Sequence, residues 1–108
     1  MKIIAVFTSV GNYEEAKLIA KTVVDKKLAA CSQISEIESF YHWNGSVQNE
    51  KEYRIMFKAD AKNYIAIENL IKKMHSYDLP AIHGILIDEI SQPYQTWVIE
   101  NSKHELLI

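Results

Sequence analysis

The chain has 108 residues, 48% of them hydrophobic and 24% charged, which predicts one ordinary globular domain with a single core. Its formal net charge of −2 disfavours nucleic acid and acidic membranes as partners. A single cysteine excludes an intrachain disulfide and a Cys-x-x-Cys metal or redox pair. The apolar runs are too short for a secretory signal or a membrane span, so we expect a cytoplasmic protein.

The N-terminal quarter predicts a strand followed by a helix. Residues 3–7 form a continuous apolar run, which is typical of a central strand buried on both faces. Residues 8–12 are largely polar and contain a glycine, so they predict a loop. Apolar residues then recur with helical spacing over residues 13–27, and Asn12 with Glu15 has the spacing of a capping pair.

The longest strand-like stretch is a hairpin centred on Asn44-Gly45. Both turn residues tolerate the positive φ of a type I′ turn, and β-type runs flank them. The first strand is expected over about residues 30–41, with a phase slip near Glu36 that suggests a bulge or bend. Apolar and polar residues alternate over residues 53–58, the period of a sheet strand.

The length of this hairpin bears on assembly. Its first strand would extend roughly 40 Å at ~3.3 Å per residue. A compact domain of this size has a radius of gyration of about 13 Å, hence a diameter of roughly 34 Å. An overhanging hairpin would expose an apolar edge, and such edges are normally paired or covered. The sequence therefore predicts a homo-oligomer. The apolar side chains concerned are Ile34, Ile37, Phe40, Tyr41 and Trp43.

The second half predicts a helix, a strand and a short helix. Asp60 can cap a helix over residues 61–74, and residues 82–90 read as a strand. Pro93 is suited to the start of the short helix, and residues 100–108 are a tail of uncertain order. The order strand-helix-strand-strand-helix-strand predicts an α+β, ferredoxin-like βαββαβ sandwich with both long helices on one face.

Several functions of this topology are disfavoured by the residues. The third strand lacks the Gly/Phe-rich motif of an RNA-recognition module. The first loop lacks the two cysteines of a soft-metal chaperone, and Arg54, the one arginine, lies on a strand rather than in an anion cradle. There is no glycine-rich nucleotide fingerprint.

Five motifs lie in order along nearly the whole chain. They are Leu28-Ala29-Ala30-Cys31, residues 39–45 (Ser-Phe-Tyr-His-Trp-Asn-Gly), Glu52 with Lys58, residues 75–80 (His-Ser-Tyr-Asp-Leu-Pro), and Tyr94-Gln95-Thr96-Trp97. In order and spacing they resemble the CutA family of divalent-cation tolerance proteins. The resemblance implies a compact homotrimer of ferredoxin-like subunits, similar in fold to the PII signalling proteins. It also implies a link to copper and other divalent cations, with no agreed enzymatic reaction.

The chain departs from the family pattern at three places. Val10-Gly11 stands where the family usually has Pro in the first loop, Ser76 replaces Pro after the histidine, and Ala81 replaces Glu after the second Pro. If that Glu contributes to a ligand pocket in the family, the pocket is altered here.

Two residues are the candidate metal ligands, and each also has a purely structural interpretation. Cys31 is either a small buried hydrophobic residue or a thiolate ligand for Cu(I). His75 either stabilises the end of its helix or binds a metal or anion in a cleft with Tyr77 and Asp78. The remaining histidines lack ligand spacing and are interpreted as surface or strand residues; they are His42, His83 and His104. Any metal site is therefore expected to be weak or shared between subunits.

A ligand cleft between subunits is the second site hypothesis. Glu52 and Lys58 lie six residues apart on one face of their strand, which is either a solvated face or the lining of such a cleft. The resemblance favours the cleft. Its remaining predicted lining residues are Tyr77, Trp43 and Trp97, and the tryptophans could equally be core or interface anchors.

Three functions remain open on the sequence. The first is a homotrimeric binding and regulatory protein linked to copper and divalent cations, not an enzyme, whose partners are itself and a metal ion or small anionic ligand. No other cofactor is implied. The second is a small-molecule sensor or enzyme that uses the clefts between subunits. The third is a trimer that only presents a docking surface.

Overall fold

The computed structural model describes residues 1–103. Within these residues, four strands and three helices follow one another, with a short 3-10 turn, Ala61–Asn63, before the second helix. The tail from residue 104 on, including His104, lies outside the described residues. The elements are β1 (Ile3–Val10), α1 (Tyr13–Asp25), β2 (Cys31–Trp43), β3 (Ser46–Asp60), α2 (Tyr64–Met74), β4 (Ile82–Ile87) and α3 (Gln92–Asn101).

The strands form one antiparallel sheet in the order β2-β3-β1-β4. Helices α1 and α2 pack on one face, where they share a core cluster with the strands. Helix α3 packs on the other face through a second, smaller cluster. The predicted ferredoxin-like α+β fold is therefore confirmed. Among residues 1–103, no helix is long and apolar enough to cross a membrane.

The main core lies between the sheet and helices α1 and α2. Alternate residues of β1 and β3 enter it, and α1 and α2 contribute stripes with the spacing of helical turns. The smaller cluster places Ile3 of β1 against Val98 and Ile99 of α3, which covers one end of the opposite sheet face. The fully buried members of the main core include Val6, Val10, Ile19, Val23, Ile55, Phe57, Ile67 and Ile71.

The hairpin turn confirms its predicted type. Asn44 and Gly45 have φ of 51° and 78°, the two positive values that a type I′ turn requires. The predicted bulge near Glu36 is wrong, because the register runs unbroken from Cys31↔Lys58 to Trp43↔Ser46. The break in the polar–apolar alternation does not mark a bulge here. Neither face of this part of β2 is fully buried, so polar and apolar residues need not alternate with the pleat.

Beyond the end of β1 the hairpin becomes a two-stranded ribbon. Val10, the last residue of β1, pairs with Tyr53, so residues 37–52 have no third strand beside them. This hairpin arm continues for seven cross-strand pairs, about 23 Å at ~3.3 Å per residue. The molecule measures 44 × 34 × 21 Å, and the side chains of Phe40 and Val47 on the arm are 68% and 61% exposed. The predicted overhang is present.

Several predicted element boundaries were wrong. Residues 8–10, predicted as loop, extend β1, because β3 offers all three a ladder partner and β4 pairs with Thr8 as well. The first helix ends at Asp25 rather than at residue 27, and β4 ends at Ile87 rather than at residue 90. Helix α3 takes in Glu100 and Asn101 from the predicted tail.

Candidate functional site

A groove of about 910 Å³ lies between the hairpin arm and the segment 76–81 that follows α2. The Asp and Glu residues that line it are joined by no Lys or Arg. Four Phe, Tyr and Trp side chains also line the groove. Three predicted cleft residues line it, namely Trp43, Glu52 and Tyr77. The acidic residues are Glu38, Glu50, Glu52 and Asp78, and the aromatic ones are Phe40, Tyr41, Trp43 and Tyr77.

Glu52 and Tyr77 form the floor of the groove. Glu52 is 7% exposed, although it carries a carboxylate, and the Tyr77 hydroxyl donates to its Oε2 at 2.9 Å. The tyrosine reaches it across Gly11, where a Cβ would lie 3.1 Å from the hydroxyl oxygen. Burial and the Glu52 carboxylate together raise the pKa of Tyr77 well above its ordinary value. Tyr77 therefore remains a hydrogen-bond donor at neutral pH.

A second carboxylate–tyrosine pair lies next to the first. Glu50 is two residues from Glu52 on the same face of β3, so their Cα atoms are roughly 7 Å apart. Tyr41 neighbours Glu50, and desolvation together with this carboxylate raises the pKa of the tyrosine. The wall of the groove thus contains two anionic groups, each beside a phenol, and one of them, Glu52, accepts a hydrogen bond from it.

His75 lies beneath the segment that borders the groove, with a fully buried side chain. The backbone N–H of Tyr77 donates to its Nδ1 at 3.1 Å, so this nitrogen is unprotonated. Nε2 then carries the proton and donates to the carbonyl of Ser9 at 2.8 Å. Both ring nitrogens are engaged in fixing the backbone, and a metal could bind only in place of one of these bonds.

Ser76 shows what one departure from the family pattern does here. Its N–H and its hydroxyl both donate to the Glu15 carboxylate, each at 2.9 Å. A proline at this position would have no N–H and no hydroxyl to offer. The same Glu15 accepts a bond from the Asn12 side chain at the start of α1, so it ties the groove segment to that helix. Ala81, at another of the three departures, lines the groove without a polar side chain.

Cys31, Lys58 and Trp97 meet elsewhere, around Tyr94 of α3. The Cys31 sulfur lies 3.7 Å from the Tyr94 hydroxyl, and the Lys58 ammonium lies 5.5 Å from the centre of its ring. Trp97 stacks on the same ring with centroids 5.8 Å apart. Burial, followed by the bond with Cys31, raises the pKa of Tyr94, and Lys58 opposes the shift. We call these four residues the α3 cluster.

The structure therefore divides the predicted site residues between two places. Cys31 pairs with Lys58 on β3, whereas Ser9, the partner of His75, pairs with Arg54, about 13 Å further along that strand. Within residues 1–103, no three His, Cys, Asp or Glu side chains are grouped so that they could hold a metal ion. The described part of the chain does not by itself fit a closed metal site.

The other histidines have separate environments. His42 is exposed on the arm and lines the groove. His83 stacks on Phe7 on the open face of the sheet, with centroids 5.1 Å apart.

Sequence reasoning missed Tyr41 and Glu50 as groove residues. The alternation of β3 places Glu50 on the same face as Glu52, so a signal was present in the spacing. Tyr94, the centre of the α3 cluster, lay inside the Tyr94–Trp97 motif but was not singled out as a site residue.

The fold and the groove define a class: a ferredoxin-like α+β protein whose long hairpin, together with the segment after α2, encloses a ligand-sized space. A family model described as CutA1 divalent ion tolerance protein matches residues 4–101. The chain belongs to this family.

Individual relatives agree with that assignment. The divalent-cation tolerance protein CutA of Pyrococcus horikoshii is 33% identical over 100 residues, 93% of this chain and 98% of the relative. A solved structure described as the periplasmic divalent cation tolerance protein CutA from Archaeoglobus fulgidus superposes with a TM-score of 0.91 at 31% identity, covering 94% and 99% of the two chains. CutA1 from Oryza sativa superposes with a TM-score of 0.92 at 30% identity, covering 97% of each chain.

Proposed function

We propose that this member of the CutA1 family acts as a homotrimer that binds copper or other divalent cations and regulates the response to them, without catalysing a reaction. The family match over residues 4–101 carries the link to divalent cations. The hairpin arm supports assembly, because a two-stranded ribbon is at best marginally stable in water unless another surface covers it.

Assembly would also explain the divided site. Trp43, Glu52 and Tyr77 lie in the groove, while Lys58 and Trp97 lie in the α3 cluster. A trimer that sets the α3 cluster of one subunit against the groove of another would complete the cleft. This arrangement would also add ligands to a metal site that one subunit leaves incomplete.

For copper, the proposal assigns the first ligand to Cys31. Soft thiolate sulfur favours Cu(I), and the thiol is half-buried on the face of the sheet that assembly would cover. His75 joins only by giving up a bond to Ser9 or Tyr77, so we rank it second. These engaged nitrogens also support a binding role, because His75 is not free to act as a general base.

Anaerobic titration of Cu(I), followed by calorimetry, tests the metal half of the proposal. Saturable binding in a simple ratio to the subunit is expected for the wild type and is expected to be lost in Cys31→Ser. Tyr94→Phe is the matched control, because it removes the hydroxyl beside the sulfur and keeps the thiol. Equal binding by Cys31→Ser would reject the cysteine as ligand, and no binding by the wild type would reject copper.

Cytoplasmic residence is part of the same proposal. One relative is described as periplasmic, so cell fractionation with a tagged full-length chain is the direct check. Recovery of the protein in the periplasmic fraction would contradict it.

A further inference from the structure

We propose that the subunits are joined by an ion pair between Lys58 in the α3 cluster of one subunit and Glu52 in the groove of the next. This contact rests on the proposed homotrimer and specifies what holds the groove against the α3 cluster. The groove is then a site shared by two subunits, because the second copy supplies the cation that the described part of one chain does not place there.

The face of β3 that is turned away from α1 and α2 is divided by charge. Ile55 and Phe57 are buried in the main core beneath those helices, so the alternate residues of the strand lie on the opposite, open face. Two cations come first and two carboxylates follow towards the arm. A surface that is positive at one end and negative at the other is complementary to a second copy placed head to tail, which is the contact that closes rings. In that direction the open-face residues are Lys58, Met56, Arg54, Glu52 and Glu50.

Glu52 and Lys58 cannot pair within one subunit. They lie six residues apart on one strand, roughly 20 Å at ~3.3 Å per residue, which is farther than the two side chains can span. No ion pair formed among residues 1–103 includes either of them. Arg54, two residues from Glu52, instead lies over the ring of Phe7, 5.7 Å from its centre. Glu52 therefore has no cationic partner in the described part of its own chain.

Glu52 needs a cationic partner once a second subunit covers the groove. It is 7% exposed, and the Tyr77 hydroxyl is the one donor that it has among residues 1–103. Covering the groove removes the water that still reaches it, and a buried carboxylate is costly unless a counter-charge is present. No lysine or arginine of the described chain lines the groove. The counter-charge must therefore come from the covering surface.

Lys58 is well placed to be that counter-charge. It is half-buried on the open face of the sheet, in the α3 cluster that assembly would cover. Its ammonium lies 5.5 Å from the centre of the Tyr94 ring, a contact that positions the charge before association and so reduces the entropy lost on binding. Other lysines already have a carboxylate partner in their own chain, namely Lys21, Lys51, Lys62, Lys72 and Lys103.

Charge reversal in the full-length chain tests the pair. Lys58→Glu and Glu52→Lys each set like charges against one another, so we expect each single variant to lose mass towards one subunit in light scattering. The double variant restores an attractive pair, with reversed polarity, at every contact of the ring. We expect it to regain the wild-type mass and to unfold at a higher temperature than either single variant, at one fixed subunit concentration.

Neutral variants keep the test decisive if a reversed charge prevents folding. Lys58→Met and Glu52→Gln retain most of the side-chain volume, and we expect each to weaken association by about tenfold or more. Combined, they should weaken it no further than the more damaging of the two, because both remove the same contact. Lys72→Glu is the matched control: its partner Glu68 lies 3.2 Å away on α2, on the other side of the sheet, so the wild-type mass should be kept.

Three results would overturn the ion pair and leave the trimer standing. They are wild-type mass and stability in both single reversals, additive losses in the neutral variants, and equal dissociation by Lys72→Glu and Lys58→Glu. Failure of a folded double reversal to recover would also overturn it. A wild type with the mass of one subunit would instead reject the trimer, and with it the pair, so the two failures are distinguishable.

Discussion

Thr8 is a buried polar residue that the fold does not satisfy. It lies in β1 at 2% exposure, between Ile55 and Ile82 of the neighbouring strands. Its hydroxyl has no hydrogen-bond partner in the described part of the chain. An unpaired buried hydroxyl costs about 1–3 kcal/mol, and valine has nearly the same shape without it. We expect Thr8→Val to raise the free energy of unfolding by about 1 kcal/mol.

Denaturant unfolding at a fixed subunit concentration measures this gain, since assembly makes stability concentration-dependent. Thr22→Val is the control, because the Thr22 hydroxyl donates to the carbonyl of Leu18 at 2.7 Å and nothing is gained by its removal. A loss of stability in Thr8→Val would mean that the hydroxyl has a partner that the packing does not reveal.

Tyr77 links the groove to pH. Its folded pKa lies above the ordinary value of 10.0, through burial first and the Glu52 carboxylate second. A group whose folded pKa is raised contributes its full stability below the unfolded pKa and loses it as the pH rises towards the folded pKa. The stability that Tyr77 confers is therefore present at neutral pH and declines above about pH 10.

Unfolding at about pH 8 and about pH 11 tests this sign. Tyr77→Phe should be less stable than the wild type at the lower pH, because the Glu52 carboxylate loses its donor. The gap should narrow at the higher pH. Glu52→Gln keeps the burial and removes the charge, so its pH dependence should be intermediate. A gap that widens with pH would contradict the assignment.

At the scale of single residues, the sequence could identify candidate site residues but could not predict which of them contact one another. Glu52, Tyr77 and His75 were identified by motif, yet their bonds depend on a long-range approach of residues 75–77 to β1 and β3. No local pattern encodes that approach. Likewise, the α3 cluster needs Tyr94 to reach Cys31, 63 residues away in sequence.

At the scale of the elements, α1 ends in a capping motif that the sequence does not reveal, because its left-handed residue is not a glycine. The N–H of Leu28 donates to Val23 O and that of Lys27 to Val24 O, at 3.2 and 2.9 Å, the bond pattern of a Schellman cap. Lys27 has a φ of 58°, a left-handed conformation usually taken by glycine. With lysine in that place, the helical pattern seemed to continue to residue 27.

Lys27→Gly should therefore stabilise the protein by about 0.5–1 kcal/mol, because glycine adopts this φ without a Cβ clash. Differential scanning or denaturant unfolding gives the value. Lys26→Gly is the control: Lys26 has an ordinary φ of −82°, so glycine should be destabilising there. If both variants lost stability equally, the left-handed residue would not be strained.

Helices and strands were predictable from the sequence where burial of one face makes apolar residues recur with a regular spacing. The core stripes of α1 and α2 and the alternation in β3 were readable because one face of each is buried. The end of β1 and the register of the arm were not, because they depend on which strands lie alongside. Polar residues 8–9 have the composition of a loop, and they are strand residues because β3 pairs with both and β4 pairs with Thr8.

At the scale of the whole molecule, the length of the hairpin bears on assembly, because the arm extends beyond the sheet and exposes apolar residues. Residues 37–52 leave the sheet as an unsupported ribbon and carry Phe40, Trp43 and Val47 in exposed positions. The overhang followed from strand length alone. The sequence does not predict which surface covers the overhang, because complementarity between surfaces produces no periodic pattern of residues.

Substitution on the arm tests the proposed homotrimer. We expect the wild type to have three times the subunit mass of 12.5 kDa in light scattering at micromolar concentration. Phe40→Asp should shift the mass towards one subunit, because it places a charge on an apolar surface that assembly would bury. Leu18→Asp is the matched control: Leu18 on α1 is 61% exposed, close to the 68% of Phe40, and lies away from the arm.

The two variants distinguish a specific interface on the arm from non-specific association of exposed apolar residues. If the arm forms the interface, only Phe40→Asp dissociates, and the ribbon, no longer covered, should become the first part of the chain to exchange its amide hydrogens. If both variants keep the wild-type mass, the arm is not what joins the subunits. A wild type with the mass of one subunit would reject the trimer, and the marginal stability of an isolated ribbon would then require another partner to cover the arm.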